Sequence, residues 1–203
     1  MSPVHLPLSE TEFIAFDLET TGLTPERSRI IEFGAVRFRL DGTESGRLEQ
    51  LVDPQCPIPF RATCVHGIND AMVHGMPTVA EMLPVFLEFL GGAETVLLAH
   101  NARFDVGFLH HALRRAGVGP PPHPVIDTLQ LARRRIRGLN SYRLETLAIH
   151  LRIAEGEDHR ALSDAHLVKG AFLDLVGRQP HIETVADLFR CTRPMRFAAK
   201  CRA

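Results

Sequence analysis

Lysine is nearly missing from this chain of 203 residues: Lys169 and Lys200 are the only two, and every other basic side chain apart from histidine is arginine. Arginine suits bidentate phosphate contacts, but the skew runs the whole length of the chain and reads first as a compositional bias. Net charge is nearly absent as well, at -1, which excludes a global positive field and makes any contact with a polyanion a local matter. The four cysteines, Cys56, Cys64, Cys191 and Cys201, show no C-x-x-C spacing; this argues against a zinc ribbon or a disulfide framework and for reduced thiols inside a cell. No apolar run approaches the roughly 18 residues of a membrane span, and the opening "MSPVHLPLSE" has neither the basic nor the apolar part of a secretion signal. The expectation is a cytoplasmic protein with no membrane partner. Internal repeats and low-complexity tracts are missing too, and the ordinary apolar share fits a single domain with a real core.

What is present is a chain of short strands followed by strand–helix units. "FIAF" (13–16) is a continuous run of strand formers, as for a central strand covered on both faces. "RIIEFGAVRFRL" (29–40), the turn residues Asp41, Gly42 and Thr43, and "RLEQLV" predict a hairpin. "TVAEMLPVFLEFLGG" (78–92) has helical spacing and stops at Gly91 and Gly92, with Pro84 expected to bend it or to start a shorter helix. "TVLLAH" (95–100) reads as a buried strand, and "ARFDVGFLHHALRRAG" (102–117) as a helix presenting Phe104, Phe108, Leu109 and Leu113 on one face and closed by Gly117. "PPPHPVIDTLQLARRR" (120–135) gives a connector, a short strand at "VI" and a helix after Asp127; "SYRLETLAIHL" and "LSDAHLVKGAFLDLV" add two more helices. This order predicts an α/β domain in which an antiparallel hairpin joins a partly parallel sheet. The boundary drawn here is 1–177 for the domain and 178–203 for a C-terminal extension that is a candidate partner segment. Within it "VADLF" (185–189) distantly resembles clamp-docking peptides but lacks their leading Gln, and an ordinary helix turn is the simpler reading.

The polar end of the first strand is the anomaly. In "FIAFDLETTG" (13–22), Asp17 and Glu19 project from one face, about 7 Å apart at Cα, so their carboxylates can converge on one cation. "AHNARFD" sets Asp105 in the first turns of a helix after a strand, and "DHRALSDAH" sets Asp164 at or near a helix start, both plausible rims of the same pocket. Like charges at roughly 4 Å repel by about 4 kcal/mol at an effective dielectric near 20, and bound divalent metal is the natural remedy. Hard oxygen donors select magnesium or manganese over zinc. Each acid has a plainer reading alone: a solvated strand end for Asp17 and Glu19, a helix-dipole acid for Asp105, a cap alongside Ser163 for Asp164. His159 alone reads as a surface imidazole, and His110 and His111 as decoration of a helix.

Taken together and in order, "FIAFDLETTGL", "RIIEFGAV", "VHGI", "LLAHNARFDVGFL", "VIDTLQLAR" and "HRALSDA" resemble the successive motifs of the DnaQ-like DEDDh 3′-to-5′ exonucleases, over roughly residues 12 to 176. That family includes the epsilon proofreading subunit of bacterial DNA polymerase III. The resemblance implies an RNase H-like, mixed five-stranded sheet flanked by helices, and a two-metal phosphodiesterase with two magnesium or manganese ions per site. It assigns Asp17 and Glu19 to the first motif, Asp105 to the second and Asp164 to the third, as metal ligands, with His159 as the base that takes a proton from water. The sister subfamily carries Tyr four residues before the last Asp, where this chain has Arg160. By the same resemblance Thr20 lies near the terminal sugar, Leu23 wedges beside the terminal base, and His66, Asn101 and Phe104 complete the nucleotide pocket. Leu23 and Phe104 also suit the core.

The implied activity is hydrolysis at DNA 3′ ends in proofreading or repair, releasing nucleoside 5′-monophosphates, with single-stranded or frayed ends favoured and a DNA polymerase as a candidate partner. The same chemistry on short or structured RNA is the nearest competitor; a non-catalytic subunit binding nucleic acid or a polymerase, and a small-molecule phosphatase, stand further off. The run "ARRRIRG" (132–138) reads either as a guide for the phosphate backbone or as a solvated helix end.

Overall fold

The computed structural model describes residues 5–156, 158–177, 179 and 181–197; Lys200 and Cys201 lie outside the described residues. Its sheet has six strands in the order β3-β2-β1-β4-β5-β6: β1 (Phe13–Thr20), β2 (Ile30–Phe38), β3 (Glu44–Leu51), β4 (Val96–Ala99), β5 (Pro124–Asp127) and β6 (Met195–Arg196). The hairpin pairs β1–β2 and β2–β3 are antiparallel, whereas β1–β4 and β4–β5 are parallel. One strand more is present than the five expected. The extra one, β6, is two residues long and adds antiparallel to β5 through Arg196 opposite Pro124 and Met195 opposite Val125, too short to leave any alternation in the sequence.

Eight helices are described: α1 (Phe60–His66), α2 (Asp70–Val73), α3 (Val79–Leu90), α4 (Arg103–Ala116), α5 (Thr128–Arg135), α6 (Leu144–Leu151), α7 (Ala161–Gly177) and α8 (Val185–Thr192). None is long and apolar enough to cross a membrane. The expected interruption at Pro84 does not occur, for α3 continues through it. Pro84 and Ala80, whose carbonyl loses its helical donor there, both face solvent, so water takes up the acceptor and the cost is small. The α3 start is fixed by a capping box in which the Thr78 hydroxyl accepts the Glu81 N–H and Glu81 reaches back to the Thr78 backbone. Gly117 ends α4 with φ +68, as the C-cap reading required.

Strand β1 is buried on both faces, and its alternation sorts two cores. Phe13 and Ala15 pack with residues of α5–α8, including Leu131, Leu147, Phe172 and Leu188. Ile14, Phe16 and Leu18 pack with Met82 and Phe86 of α3 and with Phe108 and Leu109 of α4. Asp17 and Glu19 continue the first set, on the face that α7 covers. In the C-terminal segment Ile182, Val185 and Leu188 are buried in that core, so "VADLF" is an ordinary packed helix, capped by Thr184 and Asp187. Cys56, Cys64 and Cys191 are free thiols.

Candidate active site

The two acids of β1 stand where the strand outruns its apolar packing. Asp17 pairs across the ladder with Gly34 and Glu19 with Glu32. Gly34 decides how closely α7 can approach: a Cβ there would lie 2.0 Å from the Ala161 carbonyl carbon and 2.1 Å from the Leu162 nitrogen. With only hydrogen at that point, the first turn of α7 lies on β2 and carries Asp164 over β1. One ligand oxygen each from Asp17, Glu19 and Asp164 then lie within 4.8 Å of one another.

Asp105 comes from the opposite layer, in the first turn of α4, and is 1% exposed. Burial first, and then the neighbouring charge of Asp17 and, more weakly, of Glu19, push its carboxyl well above the ordinary carboxylate range, against the pull of the backbone at Asp105 and Leu18. Its Oδ1 is buried with no hydrogen-bond partner. An all-oxygen donor set around such a surplus of negative charge fits a hard divalent cation.

His159 has φ +52, the left-handed region that non-glycine residues enter rarely. With Asp17, Leu23, Asn101 and Phe104 it lines a cleft of about 950 Å³, whose far wall carries Arg133 and Arg143. Leu23 is 85% exposed. Phe104 is half-buried, its ring centroid 4.8 Å from that of Phe108, so it serves core and cleft together. Asn101 also has a left-handed backbone, at φ +60, and its N–H donates to Asp127 Oδ1 at 3.0 Å.

Two expected pocket residues lie beneath the surface instead. Thr20 is buried and its hydroxyl donates to the Gly22 carbonyl at 2.7 Å, shaping the turn that presents Leu23. His66 is buried at the end of α1, its Nδ1 accepting the Ile68 N–H at 3.0 Å. Burial lowers its pKa, opposed by the facing Thr20 backbone and by Glu32. The side chain from α1 that does line the cleft is its neighbour Val65.

Sequence reasoning missed three supports. Asp127 accepts from the N–H groups of both Asn101 and Leu129, at 3.0 Å each, tying the end of β4 to the start of α5. His100 Nε2 donates to the Tyr142 carbonyl at 2.8 Å, and its Nδ1 lies 3.1 Å from the Thr128 hydroxyl; burial lowers its pKa. Glu32 is fully buried in β2, and its signal was an acid inside the apolar run "IIEFGAV". Of the basic run, Arg133 reaches the cleft, while Arg134 donates to the Cys191 carbonyl and Arg135 to Gln179 Oε1, tethering the C-terminal segment.

A family model described as exonuclease, of the RNase T type, matches residues 14–172. The chain belongs to this exonuclease family. Its DnaQ-like character, read from the motifs, holds. PolC-type DNA polymerase III of Halalkalibacterium halodurans is 42% identical over 161 residues, 79% of this chain and 11% of that protein. The exonuclease-family chain thus spans about a tenth of the length of the polymerases it matches. A Mycobacterium tuberculosis protein with a provisional bifunctional exonuclease/endonuclease name is 39% identical over 210 residues, 98% of this chain and 32% of that protein. Among solved structures, exonuclease X in complex with 5′-overhanging duplex DNA has a TM-score of 0.66 at 28% identity, covering 88% of this chain and 98% of that one. The RNase H-like architecture is shared with it.

Proposed function

We propose that this domain is a divalent-metal-dependent 3′-to-5′ exonuclease that removes nucleoside 5′-monophosphates from DNA ends, in proofreading or repair. The observation that carries the reading is the convergence of Asp17, Glu19 and Asp164 within 4.8 Å, with buried Asp105 behind them. These four acids would hold two magnesium or manganese ions, which when bound supply neutralisation of the phosphate oxygens and a lowered pKa for the attacking water. His159, on the same cleft as Asp17, would accept the proton of that water. The exposed Leu23 and the Phe104 ring would sandwich the terminal base, since base–aromatic stacking tolerates any sequence. Arg133 and Arg143 would meet the phosphates that follow. Thr20 and His66 act from underneath, by shaping the turn that carries Leu23.

The names of the relatives, a DNA polymerase and an exonuclease complexed with DNA, favour DNA over RNA and support a polymerase as the partner. A single-stranded 5′-labelled DNA oligonucleotide, incubated with the full chain in magnesium or manganese, should give a ladder shortening from the 3′ end, and a 3′-labelled one should lose its label as mononucleotide. Inertness with both metals, equal digestion by Asp17→Ala, or a preference for matched RNA would overturn the respective part of the reading.

A further inference from the structure

Glu32 is fully buried at the centre of the sheet, where an ionised side chain is tolerated only when its oxygens are paired. The Arg160 Nε donates to both of those oxygens, at 3.1 and 3.2 Å, and Nη2 to Oε1 at 2.6 Å. Glu32 Oε2 also accepts the backbone N–H of Ala161, the first residue of α7, at 2.9 Å. The two residues immediately after His159 are therefore clamped, one by its side chain and one by its backbone, to a strand 128 positions earlier in the chain. Two residues along the same face of β2, Gly34 lets the peptide of Ala161 and Leu162 lie flat on the strand. His159 is left-handed just ahead of this clamp, a conformation that persists in a non-glycine residue only where its surroundings over-determine it. A planar guanidinium fork fixes direction as well as distance, which an ammonium does not.

We propose that Glu32 and Arg160 form a latch that fixes the backbone of His159 and so holds its imidazole over the cleft lined by Asp17. They are positioning residues, acting through His159, and the inference rests on reading His159 as the base. Glu32 has a further reason to be neutralised: it lies opposite Glu19 in the ladder, and like charges directly opposite each other are destabilising. The latch pairs the Glu32 charge and so relieves that opposition.

The test is steady-state digestion of single-stranded DNA in magnesium by the full chain and its variants Arg160→Ala, Arg160→Lys, Glu32→Gln, His159→Gln and the double variant His159→Gln/Arg160→Ala. A misplacement of this kind costs about 10²-fold in turnover. Arg160→Ala and Glu32→Gln should lower kcat on that scale while KM stays within about twofold, and Arg160→Lys should recover only part of the loss. In the His159→Gln background, removing Arg160 should cost less than about twofold, because residues that act as a unit are not additive. In the metal-free protein, the Cα and Cβ chemical shifts of His159 should leave their left-handed values in Arg160→Ala, a readout independent of activity. A raised KM at unchanged kcat would make Arg160 a substrate contact and overturn the latch, as would a full further loss in the double variant or unaltered His159 shifts. If wild type digests DNA and His159→Gln digests it equally fast, the role of His159 itself falls; if Arg160→Ala alone matches wild type, only the latch does.

Discussion

Asp105 is the side chain in which charge, burial and chemistry conflict most openly. Its raised carboxyl pKa means that the metal-free folded state binds a proton more tightly than the unfolded chain does. Its contribution to stability is therefore fully present below the ordinary aspartate value of about 3.9 and is lost as pH rises through the folded value. Above that folded value and without metal, the ionised group strains the fold. Asp105→Asn, which keeps the shape and removes the charge, should raise the melting temperature in EDTA, by about 2–4 °C for each kcal/mol relieved in a domain of this size. The same variant should lose more activity than the roughly 10–100-fold typical of residues behind a metal's direct ligands. Adding magnesium should then stabilise wild type more than the variant, since only the state that binds gains. A variant that melts lower than wild type in EDTA would show that the charge is already compensated within the protein.

At the scale of elements, the site depends on how α7 seats against the sheet. A Cβ at position 34 would meet backbone at 2.0 Å, so no side chain can swing aside, and Gly34→Ala should displace the start of α7 and Asp164 with it. The expected result is loss of digestion together with a lower melting temperature; activity close to wild type in this variant would mean that the helix start can shift without opening the acid cluster. This dependence also marks the limit of what was legible in the sequence. Asp17 and Glu19 could be placed on one face because the period of two in β1 is a local rule, and Asp105 and Asp164 because each falls in the first turn of a helix with clear signals. The left-handed turn at His159 was not legible, because it is held through Arg160 by Glu32, 128 positions before that arginine. Nor was the burial of Thr20 and His66, since α1 and α2 are seven and four residues long, too short for a periodic signal. The uninterrupted α3 followed from the exposure of Ala80 and Pro84, a property of the assembled layers and not of the local sequence. The sixth strand needed only two residues and a neighbour.

For the molecule as a whole, two responses to solution conditions follow. His123 is buried and His100 half-buried, each bonding a backbone carbonyl, Gly92 and Tyr142 respectively, and loss of solvation lowers the pKa of both. Such groups contribute stability that is present above the unfolded histidine value of about 6.5 and lost as pH falls through it toward the folded value. With magnesium bound, so that Asp105 no longer opposes the trend, the melting temperature should fall between pH 7 and pH 5, and His100→Gln should flatten part of that slope; an unchanged slope would remove His100 from the account. The second response concerns salt. With a net charge of -1, binding of single-stranded DNA depends on the few cations at the cleft. Two phosphate contacts, by Arg133 and Arg143, give a slope of log affinity against log salt of about -1.4, and Arg133→Ala should bring it to about -0.7. A steep slope that Arg133→Ala leaves unchanged would place the polyanion elsewhere.

The two margins of the sheet are finished differently. β6 closes one, whereas β3 ends the other with no further strand beyond it among the described residues, so its outer row of peptide groups is a standing template for edge-to-edge stacking. Ser45, Arg47 and Glu49 are exposed along that margin, and polar or charged side chains on an edge strand oppose its pairing with another chain. Replacing those three side chains by apolar ones should therefore promote edge-to-edge association, read as a rise in scattered light at an unchanged melting temperature.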